Sequence, residues 1–325
     1  MDNKQKIDDI LTRGVGEFID PDGAFRRKLE TNPEKVVIKF GIDPTRPDIH
    51  IGHAVVLHKL RQFQDLGCKI VFLIGDYTAQ IGDPSGKSKT RPEINLKEII
   101  SNANTYLKQV GVILNTTDKK KYELLLNSIW YQSVADYPTG TMAQKSKLWE
   151  EHRKKYTTIR KDHALPSVTL WNLMSTLRRI THAQLIERDM FQNRIKGGEE
   201  LYMHEMMYPV LQGVDSYAIA GFFGTCDLEV GGTDQTFNML MGRPIMKANN
   251  LEPQAVLAFK LLEGLDGKEK MSKSLDNYIG ITDLPNDMYG KVMSIPDSSI
   301  ASYFELCTFT PLTEVDDIKK KYRDA

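Results

Sequence analysis

The sequence predicts an α/β fold in which helices cover a doubly wound parallel sheet, with a helical insertion and a C-terminal helical domain. Two strand–loop–helix patterns support this fold, and their strands are expected at about 35–41 and 226–230. The run Ile70–Ile74 is apolar at every position, which is typical of a strand buried on both faces of a parallel sheet. The segments 92–200 and 276–325 have mostly helical patterns, which predict the insertion and the C-terminal domain.

The N-terminal third of the chain gives the clearest order of elements. Residues 1–35 are expected to form a helical lead-in, because apolar residues recur there at helical spacing. The strand at 35–41 leads through a loop to a helix at 54–66, for which Gly67 is the expected stop. With Ile70–Ile74 these elements form a right-handed βαβ unit. The apolar residues of the lead-in are Ile7, Ile10, Leu11 and Val15.

Composition narrows the class of protein. With 325 residues, 41% of them hydrophobic, the chain can bury a full core and is expected to divide in two. The 43 acidic and 43 basic side chains balance, which argues against a simple polybasic nucleic-acid binder. The three cysteines, Cys68, Cys226 and Cys307, have no disulfide-like spacing. No signal peptide or membrane span is visible, so we expect a soluble cytoplasmic protein.

The loop FGIDPTRPDIHIGH, residues 40–53, is the first candidate site. It follows a predicted strand and ends where a helix begins, with His50 and His53 at that helix start. A helix N-terminus presents unpaired N–H groups and a partial positive charge, so anions bind there. Gly52 allows a backbone or a flat ring to come close. We therefore expect this loop to hold a nucleoside triphosphate.

Two further segments carry cations or glycines at strand ends. The cationic loop 77–91 lies past the second strand, where open α/β sheets bind ligands, although a solvated surface loop is the commoner fate of such a segment. Lys270–Ser274, KMSKS, suits a mobile clamp on phosphate but is weak evidence alone. Gly231–Gln235 indicates a helix start that admits a ligand, again only weakly.

The segment Leu201–Ala220 is expected to form an apolar helix with polar residues in line. Tyr208, Gln212 and Asp215 lie at positions i, i+4 and i+7, so one helix projects all three the same way. They are either ordinary core hydrogen-bond partners or the groups that hold a small polar ligand. A basic, aromatic stretch at Lys145–Lys161 is by default a solvated helix face, with an RNA-facing patch as the alternative.

HIGH at 50–53 and KMSKS at 270–274 together resemble the paired signature of class I aminoacyl-tRNA synthetases. Further segments resemble tyrosyl-tRNA synthetases of the bacterial type, and the resemblance extends from about residue 30 to 325. It implies a Rossmann-like catalytic domain over 1–262 with a helical insertion at about 101–205, a KMSKS linker over 263–280, and a helical anticodon-side domain over 281–325. The matching segments are FGIDPTRPDIHIGH, IGDPSGK, YPVLQGVDS, GGTDQTFNMLMGR, GLDGKEKMSKS and MSIPD.

The resemblance implies roles at an amino-acid subsite. Asp83, Tyr208 and Gln212 would hold the α-ammonium of tyrosine, and Asp215 would accept the hydrogen bond of its phenol. Gln235 would lie near the substrate carboxylate, with Asp43 on the floor between the two substrates. Gly41 and Thr78 complete the expected tyrosine contacts. The family's other branch has a tyrosine where this chain has Lys39, which therefore either pairs with Asp215 or faces away.

The resemblance also implies a nucleotide subsite for ATP with Mg²⁺ as substrate complex and no protein-bound metal. Thr45 and His50 would contact the γ-phosphate, with His53 near the ribose. Gly232 and Asp234 would contact adenine and ribose. The remaining expected ATP contacts are Gly52, Gly231 and Met271, and the expected clamp on pyrophosphate is Lys87, Arg91, Lys270, Lys273 and Ser274.

The implied reaction joins tyrosine to ATP, releases pyrophosphate and passes tyrosine to tRNA-Tyr, in a homodimer. The family usually continues into a small C-terminal RNA-binding domain, so we expect a truncated chain, with a natural short form as the alternative. Rival hypotheses are a tryptophanyl-tRNA synthetase, a non-catalytic synthetase-like RNA-binding scaffold, and a nucleotidyltransferase acting on a small acid.

Overall fold

A six-stranded sheet forms the centre of the molecule in the computed structural model, which describes residues 3–85, 94–131, 168–186 and 188–322. The strand order is β1-β6-β5-β2-β3-β4. Strands β2 to β6 run parallel, and β1 pairs antiparallel with β6 at one edge. The strands are β1 (Val15–Ile19), β2 (Val37–Ile42), β3 (Lys69–Ile74), β4 (Tyr122–Leu126), β5 (Leu228–Gly232) and β6 (Ala255–Phe259).

The sheet is wound in two directions from its middle. The chain moves outward from β2 to β3 and β4, and the second half moves from β5 to β6 on the other side. The connections that leave the carboxyl ends of the neighbouring strands β2 and β5 therefore run to opposite sides. Sheets of this kind bind ligands in the crevice between two such connections. The predicted doubly wound parallel sheet is confirmed.

Helices cover both faces of the sheet. The longest, Met203–Phe223, contains Pro209, and no helix within the described ranges is long and apolar enough to cross a bilayer. The α-helices are Asn3–Thr12, Ala24–Thr31, Ile51–Leu66, Thr78–Ile81, Leu96–Val110, Ser128–Tyr131, Leu170–Leu177, His182–Ile186, Asp189–Lys196, Met203–Phe223, Thr236–Leu240, Gly242–Ala248, Pro285–Met293, Asp297–Cys307 and Leu312–Lys321, with 3-10 turns at Pro33–Lys35, Thr233–Gln235 and Lys273–Leu275.

Alternation along β2 divides the core into two layers. Ile38 and Phe40 point into the larger cluster, which the helix Ile51–Leu66 covers. Val37 points to the opposite face, where it packs in a cluster with Ile219 of the helix Met203–Phe223. Burying such side chains stabilises the fold by roughly 1.5–3 kcal/mol each. The same alternation aims Lys39, a charged residue, into the second layer.

Two strands were missed by the sequence pattern. Val15, expected in a helical lead-in, lies in β1, because the preceding helix ends at Thr12 and Gly14 has a φ of 66°. Strand β4 lies inside the range 92–200, for which a mostly helical pattern was expected. It is a sheet strand because five of its residues pair in parallel with β3.

The C-terminal segment packs against the sheet domain as expected for a helical region. Leu262, Met271, Ile279 and Tyr303 form a buried cluster of their own. Arg13 joins the two ends of the chain, since its guanidinium donates to four backbone carbonyls at the end of the helix Asp297–Cys307 and just beyond it. This contact fixes the C-terminal helices relative to β1.

Candidate active site

Residues that follow β2 and β3 meet the helix Met203–Phe223 at the carboxyl edge of the sheet. The Tyr208 hydroxyl donates to Asp43 Oδ2 at 2.8 Å, and Thr78 Oγ1 donates to Asp43 Oδ1 at 2.8 Å. Gly75 makes this approach feasible, because a Cβ there would lie 2.0 Å from Asp43 Oδ1. Three of the predicted tyrosine-site residues are thus in direct contact.

A second polar group joins the IGDPSG loop to the segment after β5. Gln235 Nε2 donates to Asp83 Oδ2 at 2.8 Å, and Asn238 Nδ2 donates to Asp83 Oδ1 at 3.3 Å. Asn238 also reaches Ser85 Oγ at 3.2 Å. The structure therefore brings Asp83 and Gln235 together, as their expected roles at the ammonium and carboxylate of one amino acid require.

Asp215 is a buried carboxylate, 3% exposed, surrounded by donors. Trp130 Nε1 donates to its Oδ1 at 2.9 Å, and Asn127 Nδ2 approaches its Oδ2 at 3.4 Å. Asn127 also donates to Thr78 Oγ1 at 3.0 Å, which links Asp215 to the Asp43 group. Burial raises the pKa of Asp215 to about 6, against the opposing effect of Lys39 and of these donors.

The HIGH residues lie at the start of the helix Ile51–Leu66. His50 is its N-cap, and the rings of His50 and His53 lie 3.8 Å apart between centroids. The His50 amide donates to His53 Nδ1 at 3.4 Å. A Cβ on Gly52 would come within 3.0 Å of the His50 ring and 3.7 Å of Met271, so this glycine allows the KMSKS segment to approach.

Backbone pairing joins the HIGH loop to the segment that follows KMSKS. Ile51 N donates to Ile279 O at 2.9 Å, and Ile281 N donates to Ile49 O at 3.1 Å. Lys273 Nζ donates to the carbonyl of Asp48 and lies 5.9 Å from the Tyr278 ring centroid. His50 and Lys273 therefore lie on the same side of the molecule, close enough for the Lys273 charge to lower the pKa of His50.

Lys270 connects the nucleotide side of the site with the amino-acid side. Its Nζ lies 2.6 Å from Asp234 Oδ2, and Asp234 precedes Gln235, which contacts Asp83. The two predicted subsites are neighbours along one edge of the sheet. Such an edge can hold an anion beside a small zwitterion.

Comparisons with known proteins agree with this geometry. A family model described as tRNA synthetases class I (W and Y) matches residues 31–324. The chain belongs to this family. Curated relatives of the synthetase include a tyrosine–tRNA ligase of Francisella tularensis, 42% identical over 96% of this chain and 68% of its own length. A tyrosine–tRNA ligase 2 of Vibrio cholerae is 43% identical over 95% of this chain and 67% of its own length.

Solved structures share the fold of the synthetase. A C-terminally truncated mitochondrial tyrosyl-tRNA synthetase of Aspergillus nidulans has a TM-score of 0.63 at 21% identity, covering 98% of this chain and 84% of its own. A tyrosyl-tRNA synthetase of Archaeoglobus fulgidus, solved with L-tyrosine, has a TM-score of 0.63 at 22% identity, covering 94% and 81%. The resemblance to class I synthetases and the Rossmann-like fold are confirmed.

The electrostatics of the HIGH side suit an anion. Burial, with Lys270 and Lys273 nearby, lowers the pKa of His50 to about 2 and that of His53 to about 4, so both histidines are neutral at pH 7. Burial also lowers the pKa of Lys273 to about 8, with Asp48 opposing and Arg46 adding to the shift. A bound phosphate would oppose these shifts, because it favours each charged form.

Lys39 pairs with Glu229 rather than with Asp215, the first of the two arrangements expected from the sequence. It is fully buried, and its ammonium contacts Glu229, Ser216 and the carbonyl of Gln212. It lies beneath the helix that carries Gln212 and Asp215. Its contacts are with residues around the proposed tyrosine site.

The other predicted site residues are distributed as follows. Thr45 is half-buried in the loop after β2 and its amide donates to the Asp43 carbonyl at 2.8 Å. A Cβ on Gly41 would lie 4.0 Å from Leu73 Cδ2, whereas a Cβ on Gly232 would meet Leu261 and Asp234. A Cβ on Gly231 would meet Met239 and Gln235. Outside the described positions lie Lys87, Arg91, the side chain of Ser274 and the basic stretch Lys145–Lys161.

Several polar residues of the site were not expected from the sequence. Asn127 and Trp130 follow β4, and the run Leu124–Leu126 before a buried asparagine was the available signal for a strand end. Arg188, in the helical segment before Met203–Phe223, donates to Ser85 Oγ, while its Nη1 has no partner within the described part of the chain. No pattern in the sequence indicated Arg188, because its contact depends on the tertiary fold.

Proposed function

We propose that the chain is a tyrosine–tRNA ligase that activates tyrosine with ATP and then passes it to the 3′ end of tRNA-Tyr. The observation that carries the proposal is the buried Asp215, which lies on the same helix as Tyr208 and Gln212. Its carboxylate accepts hydrogen bonds from Asn127 and Trp130. A carboxylate has about four acceptor positions, so Asp215 can accept a further hydrogen bond. At the end of an amino-acid site it therefore favours a substrate with a hydroxyl to donate over one with an apolar ring.

The proposed tyrosine contacts extend along one line. Asp215 accepts the phenol hydrogen bond, and the α-ammonium lies among Asp83, Tyr208 and Gln212. Gln235 lies near the carboxylate, and Asp43 with Thr78 forms the floor towards ATP. Their mutual contacts support this arrangement, since each carboxylate is already oriented by neutral donors.

The chemistry needs alignment rather than a general base. A tyrosine carboxylate is ionised at neutral pH, with a reference pKa near ~3.5. One of its oxygens attacks the α-phosphorus of ATP, the bond from that phosphorus to the bridging oxygen breaks, and pyrophosphate leaves with the electron pair. Lysines near the leaving group stabilise its charge most in the transition state.

We propose the nucleotide contacts from the signature segments. Thr45 and His50 contact the γ-phosphate, His53 and Asp234 lie towards the ribose, and Gly52, Gly231, Gly232 and Met271 line the adenine side. The clamp on pyrophosphate is Lys270 and Lys273, joined by Lys87, Arg91 and Ser274.

Mg²⁺ enters as part of the substrate complex with ATP, held by phosphate oxygens and water. The described residues include no group of three His, Cys, Asp or Glu side chains that could hold a metal ion, and the expectation of no protein-bound metal stays a prediction. The homodimer, the cytoplasmic location and the division into domains at 262 and 281 are proposals of the same kind. Because β4 belongs to the sheet, the proposed insertion would begin after residue 126.

Tyrosine-dependent exchange of radioactive pyrophosphate into ATP tests the function. We expect exchange with tyrosine and none with tryptophan or phenylalanine. Exchange with tryptophan alone would make the chain a tryptophan ligase, and no exchange with folded protein would favour a non-catalytic scaffold. Exchange with none of the three aromatic amino acids but with another small acid would support the nucleotidyltransferase hypothesis.

A further inference from the structure

An ion pair lies in the middle of the sheet, directly below the proposed tyrosine site. Lys39 of β2 and Glu229 of β5 face each other in register, and their Nζ and Oε1 atoms are 2.9 Å apart. Both side chains are almost fully buried, at 0% and 2% exposure. Removing two charges from water is costly, so this pair needs its remaining hydrogen bonds.

Those hydrogen bonds lead to the helix Met203–Phe223. Glu229 Oε1 accepts from Gln212 Nε2 at 2.9 Å, and its Oε2 accepts from Ser216 Oγ at 3.2 Å. Gln254 Nε2 donates to the same Oε2 at 2.5 Å. The carboxylate therefore accepts from three side-chain donors besides Lys39, and one of them is the Gln212 amide proposed to bind the substrate ammonium.

Lys39 holds the same helix at its backbone. Its Nζ donates to the Gln212 carbonyl at 2.7 Å and to Ser216 Oγ at 2.9 Å. Residues 212 and 216 bracket Asp215, so the ion pair fixes the helical turn that carries the proposed phenol acceptor. The Lys39 charge also lowers the pKa of Asp215, which favours its ionised form.

We propose that Lys39 and Glu229 are positioning residues for tyrosine, which set the Gln212 amide and the turn carrying Asp215 without touching the substrate. The inference rests on the proposed function and goes beyond it, since it assigns selectivity for the amino acid to a charged pair in the sheet. An apolar pair of similar volume would serve stability about as well. The charges therefore have their consequence in the geometry of the site.

Steady-state pyrophosphate exchange on Glu229→Gln and Lys39→Met tests the proposal. A glutamine has one acceptor oxygen where the carboxylate serves several donors, so the Gln212 amide loses its fixed partner. We expect the tyrosine KM to rise about tenfold or more, as for a lost hydrogen bond to a charged group. The ATP KM should stay within about twofold, because the ATP contacts are unchanged.

Two further variants separate positioning from folding. Lys39→Met/Glu229→Met removes both charges together, so it should fold with a Tm near that of the wild type yet keep the raised tyrosine KM. Glu205→Gln is the matched control, because Glu205 lies in the same helix and forms a buried ion pair with Arg194 at 2.8 Å. It should lower the Tm and leave the ratio of the two KM values as in the wild type.

The outcomes distinguish the two proposals. A tyrosine KM equal to that of the wild type in the folded double variant would overturn the positioning role. An equal rise in Glu205→Gln would overturn it as well, because the effect would then come from destabilisation alone. If the folded wild-type protein showed no tyrosine-dependent exchange, that result would instead contradict the proposed function.

Discussion

The raised pKa of Asp215 predicts that recognition of tyrosine depends on pH. Its pKa is raised to about 6, so the carboxylate is mostly ionised at pH 7 and becomes protonated as pH falls through 6. The phenol then loses its ionised acceptor. We predict that the tyrosine KM rises as pH falls from 7 to 5, by about tenfold, in exchange assays at saturating ATP.

Asp76 is the control for that pH profile, because burial raises its pKa to about 6 as well. It lies at the end of β3 and accepts from the Ser128 amide at 3.0 Å. Asp76→Asn should retain the rise in tyrosine KM at low pH. If the rise disappears in that variant, Asp76 is the titrating group and the assignment to Asp215 is wrong.

Lys273 is expected to act mainly in the transition state. In the structure its half-buried ammonium donates to the Asp48 carbonyl, near the HIGH histidines. Lys273→Ala should lower kcat for adenylate formation about 10²-fold, since a preorganised charge is lost. The ATP KM should change far less, which pre-steady-state kinetics with varied ATP would measure.

Lys320→Ala is the comparison for Lys273, because Lys320 is an exposed lysine that pairs with Asp317 in the C-terminal helix. It should leave kcat unchanged. Parallel losses of kcat and ATP affinity in Lys273→Ala would argue for uniform binding and against a transition-state clamp.

The lack of a side chain at Gly75 allows Asp43 and Thr78 to lie close together in the site. A Cβ there would lie 2.0 Å from Asp43 Oδ1 and 2.4 Å from Thr78 Oγ1. Gly75→Ala must therefore displace both side chains, and we predict a fall in kcat/KM for tyrosine of about tenfold or more. Gly290→Ala, in an exposed helix with open space at the Cβ, should keep full activity and gain up to about 1 kcal/mol in urea unfolding.

Single residues were predictable where a motif names them and unpredictable where tertiary contacts decide. HIGH, KMSKS and the Tyr208–Gln212–Asp215 spacing indicated residues that the fold brings to one edge. Lys39 was expected to pair with Asp215 or to face away, whereas it pairs with Glu229. Glu229, its partner, is 190 positions away and adjacent only through strand pairing.

At the scale of elements, Arg13 fastens the C-terminal helices to the sheet domain. Its Nη1 donates to Thr310 O at 2.6 Å and its Nε to Glu305 O at 3.0 Å, with Phe304 and Thr308 accepting from Nη2. Arg13→Met leaves these carbonyls without their charged donor. We predict a loss of about 2–4 kcal/mol in the free energy of unfolding, measured in urea.

Arg27 is the matched control for Arg13, because it is an exposed arginine that donates to one backbone carbonyl, that of Asp22. Arg27→Met should change the unfolding free energy by less than about 0.5 kcal/mol. Equal losses in the two variants would show that the guanidinium of Arg13 contributes no more than a surface contact.

Elements buried on both faces were predictable, and edge elements were not. Strand β3 gives an unbroken apolar run, and the helix Met203–Phe223 has a long apolar pattern. Strand β1 lies at an edge with two exposed residues, and β4 follows the lysines 119–121, so neither shows the pattern of a central strand. Their place in the sheet is decided by pairing with β6 and β3.

At the scale of the whole molecule, the sheet order explains why distant segments form one site. HIGH follows β2, the Asp234 segment follows β5, and these two strands are neighbours at the point where the winding reverses. KMSKS reaches the same edge through pairing of Ile279 and Ile281 with the HIGH loop. A nucleotide at this edge would contact both signatures while the amino acid lies beneath Tyr208.

The most direct measurement is a structure of the chain with a non-hydrolysable tyrosyl-adenylate analogue. The phenol oxygen should lie within hydrogen-bonding distance of Asp215, the ammonium among Asp83, Tyr208 and Gln212, and the adenosine between Gly52 and Asp234. A phenol ring bound elsewhere, or an adenosine away from both His53 and the KMSKS segment, would contradict the account.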